Sequence, residues 1–277
     1  MMKINGNVFV VTGAGNGIGR DVALELLSRG ARVAGVDISA AALADTAALA
    51  GAGERFSVHD VDLTDRESVN ALPGAVEAQH GRVDGLIHVA GVIQRFVPIR
   101  ELSTGDIETV FDVNLWGTVN VNKAFLDPLL ARPAAALVNV SSMGGLIPFP
   151  GQTAYSASKG AVKLWTEGLH AELAQSNVTV TVVFPGAIAT DIARNSGAGE
   201  TSAAGADSPI KMTSSTDAAR QIVEAVAKGK VRVRIGNDAK LLDRLSRVMP
   251  TKAIELIAKK MASAAGAAAG QEAAPTK

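Results

Sequence analysis

Tyr155 and Lys159 stand four residues apart in the run Tyr155-Ser156-Ala157-Ser158-Lys159, and Tyr155 is the only tyrosine of the chain. On a helix this spacing puts both side chains on one face, about 5–6 Å apart at Cβ. An ammonium beside a phenol favours the phenolate. Bringing a tyrosine from its ordinary range to neutrality takes roughly 4 kcal/mol, within reach of a partly desolvated site that also holds a second positive charge. The product is a proton acceptor matched to physiological pH, as alcohol oxidation requires. The same spacing also arises in plain surface packing, so the pair takes its meaning from what surrounds it.

The elements that must position the pair begin at the N-terminus. Val8-Phe9-Val10-Val11 is a short, β-branched apolar run, the pattern of a parallel strand covered on both faces. Thr12-Gly13-Ala14-Gly15-Asn16-Gly17-Ile18-Gly19 follows, then the helical pattern Val22, Leu24, Leu26, Leu27. Glycines at 13, 17 and 19 permit a tight turn, backbone approach to a pyrophosphate and close helix–strand packing. The helix N-terminus presents free N–H groups to the anion. Strand, loop and helix in register point to a dinucleotide site, with Gly13, Gly15, Asn16, Gly17, Ile18 and Gly19 as contacts. An oxidised nicotinamide ring would then be the second charge near Tyr155. The next strand, Arg32-Val33-Ala34-Gly35-Val36, ends in Asp37, eighteen residues beyond Gly19. A carboxylate there accepts from the adenosine ribose hydroxyls and repels the extra phosphate of NADP. Ile38 follows, and Asn16 stands where a loop arginine or lysine could have been, so NAD is the expected cofactor. The alternative for Asp37 is a strand-end residue capping the next turn.

The glycine spacing and the Tyr-x-x-x-Lys run together resemble the short-chain dehydrogenase/reductase family in its compact single-domain branch, over about residues 5–192. The resemblance implies a catalytic serine at Ser142, just after Ala136-Leu137-Val138-Asn139-Val140, and a catalytic asparagine at Asn114, within Val113-Asn114-Leu115-Trp116-Gly117. It implies adenine contacts at Asp62 and Leu63 and close cofactor approach at Ala90 and Gly91. Pro185, Gly186, Ile188 and Thr190 are expected beside the nicotinamide, with Tyr155 and Lys159 touching the cofactor as well. In the implied chemistry Tyr155 takes the proton of a substrate hydroxyl while hydride moves to the nicotinamide, and Ser142 holds the substrate oxygen. Lys159 lowers the tyrosine pKa and binds the nicotinamide ribose, and Asn114 holds a water linking Lys159 to solvent. One departure stands out: the family's Asn-Asn-Ala-Gly reads His88-Val89-Ala90-Gly91 here. His88 is expected as a packed residue hydrogen-bonding in place of those amides.

A chain of 277 residues, 47% hydrophobic, can bury a large core. Alternating strands and helices predict an α/β protein with a Rossmann-like, doubly wound parallel sheet in three αβα layers, forming one domain over residues 1–261. Further strands read at Arg55-Phe56-Ser57-Val58, Gly85-Leu86-Ile87-His88-Val89, Val178-Thr179-Val180-Thr181-Val182-Val183-Phe184 and Val231-Arg232-Val233-Arg234-Ile235. Zero cysteines exclude disulfides and thiol catalysis, and the four histidines lack metal-ligand spacing, so no metal is expected. No apolar run approaches the ~18 residues of a membrane span, and no signal peptide is read, which makes the cytoplasm the default.

The resemblance implies a homodimer or homotetramer built on helices around residues 106–130 and 153–176. The stripe Val162, Trp165, Leu169, Leu173 could serve that interface or pack on its own sheet. Residues 195–215, rich in Gly, Ala, Ser and Thr, read as a substrate lid or a disordered insertion. Residues 216–261 read as substrate-side helices and a last strand, and the Ala/Gly-rich tail 262–277 as disordered. Between Lys228 and Lys260 stand ten basic and three acidic residues in a chain of zero net charge. The stretch reads as two amphipathic helices broken at Pro250, giving either a solvated face or a weak membrane-surface contact through residues 240–261. It lacks the interleaved aromatics of a nucleic-acid surface. Ile93, Phe96, Val97, Met143, Leu146, Ile147, Pro148 and Phe149 are the expected apolar lining, with Ser142, Met143, Phe149 and Tyr155 touching substrate. They point to a hydrophobic secondary alcohol or ketone, of steroid, retinoid-like or fatty-chain type. A catalytically silent NAD-binding sensor or scaffold is the rival from another class, as is a peripheral membrane protein.

Overall fold

The computed structural model describes residues 2–198 and 212–272. Seven parallel strands form the central sheet: β1 (Val8–Thr12), β2 (Arg32–Asp37), β3 (Phe56–Asp60), β4 (Gly85–His88), β5 (Ala135–Val140), β6 (Val178–Pro185) and, last in the chain, β9 (Arg232–Ile235). Their spatial order is β3-β2-β1-β4-β5-β6-β9. Every residue of β1, β4 and β5 is buried, which is why these segments read as continuous apolar runs instead of alternating ones. A separate two-stranded pair joins β7 (Ile188–Ala189) to β8 (Thr213–Ser214). It has no sequence signal beyond two short segments and was not foreseen.

Helices cover both faces, giving the expected three layers. On one side α1 (Gly17–Ser28), α2 (Ala40–Ala50) and α8 (Ser215–Lys228) bury Val22, Leu26, Leu43, Ile222 and Val226 against the sheet. On the other, α3 (Arg66–His80), α5 (Gly117–Leu130) and α6 (Thr153–Glu172) bury Leu72, Val76, Phe125, Leu129 and Leu169. The stripe on α6 thus packs within its own subunit: Val162 and Leu169 are buried, and Trp165 Nε1 donates to Asn122 Oδ1 on α5 at 3.0 Å.

Between α4 (Thr104–Phe111) and α5 the chain makes one π-helical segment, Asp112–Trp116. Such insertions widen a helix by one residue and recur at functional sites. After the short α7 (Ile192–Asn195), residues 199–211, most of the expected lid, lie outside the described residues. The two strands flanking them are paired, Ile188 with Thr213 and Ala189 with Ser214. At the C-terminus α9 (Asn237–Val248) and α10 (Pro250–Glu272) form the two expected helices, with Pro250 opening the second, where its missing N–H costs nothing. Disorder was expected from Ala262, yet α10 continues through the Ala-rich stretch to Glu272, as the strong helix propensity of alanine permits; residues 273–277 lie outside the described residues.

The sheet changes direction between β1 and β4, the first strand being followed outward by β2 and β3 and the fourth by β5, β6 and β9. In open α/β sheets that switch point opens a crevice at the carboxyl ends of the strands. Thr12 and His88, the last residues of β1 and β4, stand opposite each other there.

Candidate active site

A cleft of about 590 Å³ occupies this crevice. Its floor is the loop from β1 into α1. Gly13 adopts φ +69°, and a Cβ there would stand 3.0 Å from the backbone of Ala90. Only glycine permits this approach of two backbones. Asn16, at the head of α1, makes no side-chain cap, so the first-turn N–H groups keep no side-chain acceptor of their own. Thr46 Oγ1 donates to the Ala14 carbonyl at 2.9 Å, and Arg20 donates to the Gly15 carbonyl, so the loop is pinned from α2 and α1.

Asp37, at the end of β2, accepts from Gly15 N at 2.9 Å and from Ser39 N at 3.1 Å. Each oxygen keeps a lone pair free for a further donor. Lys159 is the only lysine or arginine among the described residues that line the cleft.

Most of the expected contacts come together. Gly13, Asn16, Gly17, Ile18 and Gly19 line one wall with Asp37 and Ile38, and Asp62 and Leu63 follow from the turn after β3. Ala90 and Gly91 line the middle, and Ser142, Tyr155, Lys159, Pro185, Gly186, Ile188 and Thr190 line the other end. Ten expected residues do not line it: the apolar residues Ile93, Phe96, Val97, Leu146, Ile147 and Pro148, and Gly15, Asn114, Met143 and Phe149. Gly15 faces Asp37 and Ala42 instead. Asn114 is completely buried behind the wall. Met143 sits in the 3-10 turn Met143–Gly145, and Phe149 packs with Ile147 against Leu242, Leu245, Ala253, Ile257 and Met261. Ile147 and Phe149 are therefore taken up by the helices α9 and α10, while Pro148 between them is exposed.

The catalytic candidates are held from several elements. Lys159 is buried on α6, and its Nζ donates to the Val140 carbonyl at 3.2 Å. Burial lowers its pKa to about 8. The Tyr155 phenol moves the other way: burial pushes it above its ordinary value, opposed by a hydrogen bond with Ser142. The expectation of a phenol made acidic by Lys159 is thus not met by the protein's own groups, because desolvation penalises phenolate and ammonium alike. Ser142 itself accepts from Gly144 N at 3.0 Å, which orients its hydroxyl. Asn114, on the π segment, grips Val92 in both directions, accepting from its N–H at 2.9 Å and donating to its carbonyl at 2.9 Å. Its Nδ2 also reaches Ser158 Oγ at 3.0 Å. A Cβ on Gly91 would stand 2.8 Å from Lys159 Nζ and 2.9 Å from Asn114 Oδ1, which places both groups behind that glycine.

Other members were not singled out by sequence. Gln94 is buried and accepts from Tyr155 N at 3.0 Å, serving an otherwise uncapped helix start, while its Nε2 donates to the Gly151 carbonyl at 3.0 Å. Asp238, in the first turn of α9, accepts from Ala187 N at 2.7 Å, and a Cβ on Gly186 would collide with its carboxylate. Both act across long stretches of chain, and neither belongs to a local pattern. His88 is packed, as expected. Burial, aided by the Lys159 charge, holds its pKa at about 3, and both ring nitrogens meet threonine hydroxyls.

The basic C-terminal stretch is partly neutralised. Arg232, Arg234 and Arg247 converge on the buried Asp243, at 2.9, 2.9 and 3.1 Å. Burial alone would raise the Asp243 pKa; hydrogen bonds from Arg247, Arg232 and Arg234 outweigh it and leave the carboxyl lowered. No helix among the described residues is long and apolar enough to cross a membrane.

Comparison with known proteins agrees with the geometry. The family model for short chain dehydrogenases matches residues 7–201. A Mycobacterium tuberculosis protein named as an oxidoreductase, SadH, is 40% identical over 266 residues, 93% of this chain and 96% of that one. The crystal structure of a short-chain dehydrogenase/reductase from Burkholderia phymatum in complex with NAD superposes with a TM-score of 0.81 at 28% identity, covering 93% of this chain and 97% of that one. A short-chain dehydrogenase from Burkholderia cenocepacia in complex with NADP gives 0.78 at 28% identity, covering 92% and 99%.

Proposed function

The chain belongs to the short-chain dehydrogenase/reductase family, and on that premise we propose that it is an NAD-dependent oxidoreductase interconverting a secondary alcohol and a ketone. One observation carries the reading: Ser142, Tyr155 and Lys159 line the same cleft as the glycine loop and Asp37.

A dinucleotide fits these residues. The cleft runs along the carboxyl ends of the strands, Gly13 lets two backbones meet beneath it, and Asp37 keeps free lone pairs at the ribose end. Among the described residues no lysine or arginine lines that end to receive a 2′-phosphate, which favours NAD over NADP. When bound, the cofactor accepts or donates the hydride and brings the positive charge of its oxidised ring. The protein's own part is proton handling and placement. Tyr155 takes the proton of the substrate hydroxyl, and Ser142, oriented by Gly144 N, holds the substrate oxygen beside it. Lys159 provides an ammonium fixed at the Val140 carbonyl, one helical turn on from Tyr155, and Asn114 sets the wall at Val92 and Ser158 that shapes this end of the cleft.

Val92, Val113, Ile188 and Ile192 along the cleft support an apolar substrate, while Ile147 and Phe149 pack against α9 and α10. The paired strands that flank residues 199–211 stand next to Pro185-Gly186, which supports a lid role for that segment. Ala157, Leu164 and Gly168 are exposed on α6, and this outward face supports a homodimer or homotetramer. Exposed Leu241 and Val248 among Lys240, Arg244 and Arg247 on α9 favour an additional weak contact with anionic membrane surfaces.

The test is a panel of lipophilic secondary alcohols offered with NAD and with NADP, read by the absorbance of the reduced nicotinamide. Turnover with NAD is the expected result. Tight NAD binding without turnover of any alcohol would favour a silent sensor.

A further inference from the structure

Position 88 carries a histidine at the end of β4, in register with Thr12 on β1, the two strands that flank the switch point. Each ring nitrogen meets one hydroxyl: Nδ1 lies 2.8 Å from Thr12 Oγ1, and Nε2 lies 2.9 Å from Thr118 Oγ1 on α5. Neither hydroxyl is free to choose its role. Thr12 Oγ1 already accepts from the main-chain N–H groups of Val89 and Ala90, at 3.1 and 3.3 Å, so its single proton is left for Nδ1. Thr118 Oγ1 lies 2.6 Å from the main-chain carbonyl of Asn114, an oxygen that only accepts. The Thr118 proton goes there, and its oxygen accepts from Nε2.

The hydrogens therefore run one way, from Thr12 to His88, from His88 to Thr118 and from Thr118 to the Asn114 carbonyl. The reverse order would leave the Thr12 proton without an acceptor and set a lone pair of Thr118 against the carbonyl. Only a neutral imidazole with its proton on Nε2 satisfies every group. A charged ring would also stand beside the Lys159 ammonium. The chain ends on the π segment, whose Asn114 side chain holds Val92 and Ser158. Ser158 directly precedes Lys159. An asparagine at 88 carries its donor and acceptor on one end of the side chain. An imidazole carries them on two edges of a ring, which is what bridging a strand to a helix requires.

We propose that His88, as its neutral Nε2–H tautomer, is a positioning residue for the oxidoreduction: it fixes the π segment and so the Asn114 wall beside Lys159. This rests on the dehydrogenase reading above. Two measurements test it.

With ¹⁵N-labelled histidine, long-range ¹H–¹⁵N correlation at neutral pH should show one ring in the Nε2–H form that disappears in His88→Asn. An Nδ1–H or charged ring at this position overturns the proposal. Kinetically, His88→Leu and Thr118→Val should each lower kcat by about tenfold or more with the NAD Kd within about threefold, and the double variant should be no slower than the worse single one. Full multiplication of the two effects overturns the proposal, as does an unchanged kcat with only a lower Tm. Should His88→Leu fail to fold, Thr118→Val decides, because it keeps the ring in place and an unchanged kcat then overturns the role. A wild-type protein that turns over no alcohol sinks the dehydrogenase reading and the positioning role together, a result distinguishable from a wrong tautomer in an active enzyme.

Discussion

The ammonium of Lys159 donates to the main-chain carbonyl of Val140, 3.2 Å away, and makes no other hydrogen bond among the described residues. A buried cation with a single neutral partner is costly, and its pKa falls from the ordinary 10.5 to about 8. In an unfolded chain the lysine stays protonated up to its ordinary value. Between about pH 8 and 10.5 the unfolded state therefore binds more protons than the folded one, and stability rises with pH across that window. Below it the native state carries a penalty of roughly 3 kcal/mol at most. Lys159→Met should consequently unfold at a higher temperature than wild type at pH 7, with the gap closing by about pH 10.5, while losing activity. Paired thermal melts across that range check it. A less stable variant at pH 7 would contradict the unpaired-cation reading.

The phenol next to it obeys the same physics in the opposite sense. Burial raises the Tyr155 pKa, so the protein alone favours the protonated form, and in the proposed mechanism acidity is left to a charge that arrives with the cofactor. Tyr155→Phe should abolish turnover, a loss of at least about 10²-fold for removal of general acid–base catalysis, with the NAD Kd within a few-fold of wild type. Titration of the tyrosine absorbance should move to lower pH when NAD is added. Substantial residual turnover would remove Tyr155 from the proton-transfer role.

The carboxylate proposed to set cofactor choice, Asp37, is held by two main-chain N–H groups. Because Asp37 accepts from Gly15 and Ser39, its removal loosens the glycine loop as well as the proposed ribose contact. Asp37→Ala should raise the NAD KM by about tenfold, the worth of one charge-assisted hydrogen bond, and bring the NADP and NAD values closer together. Steady-state kinetics with both cofactors reads this directly. A wild type that already prefers NADP would refute the ribose argument.

What the sequence disclosed and what it hid divide by range. The run Val8–Thr12, the glycine loop, Asp37 and the Tyr155–Lys159 pair are patterns of neighbours, and each stands in the structure where its periodicity requires. The β strands were legible because burial on both faces leaves a continuous apolar run. Gln94 reaches Tyr155 across 61 residues, and Asp238 reaches Ala187 across 51, so no local pattern announces either. The same limit explains Phe149, whose apolar character was read as substrate lining. Nothing near residue 149 reveals that α10, a hundred residues later, covers it. The ion pairs within the basic stretch between Lys228 and Lys260 were hidden for a related reason, since Asp243 gathers three of the arginines only once β9 and α9 are folded together.

Asp238 links that C-terminal region to the cleft. It sits in the first turn of α9, whose inner face packs on Ile147 and Phe149, and it holds Ala187 N at 2.7 Å next to Pro185-Gly186. Removing its carboxylate leaves that N–H without its acceptor, a cost of about 1–3 kcal/mol, and frees the loop expected beside the nicotinamide. Asp238→Ala should therefore lower the Tm by a few degrees and raise the NAD KM, whereas Gly186→Ala should do both more severely, because its methyl collides with the Asp238 carboxylate. Combining the two removes the collision along with the anchor, so Gly186→Ala on the Asp238→Ala background should cost much less than it does alone. Thermal melts and NAD titrations of the four proteins measure this coupling. Equal effects of Gly186→Ala on both backgrounds would mean that the carboxylate is not what demands glycine at 186.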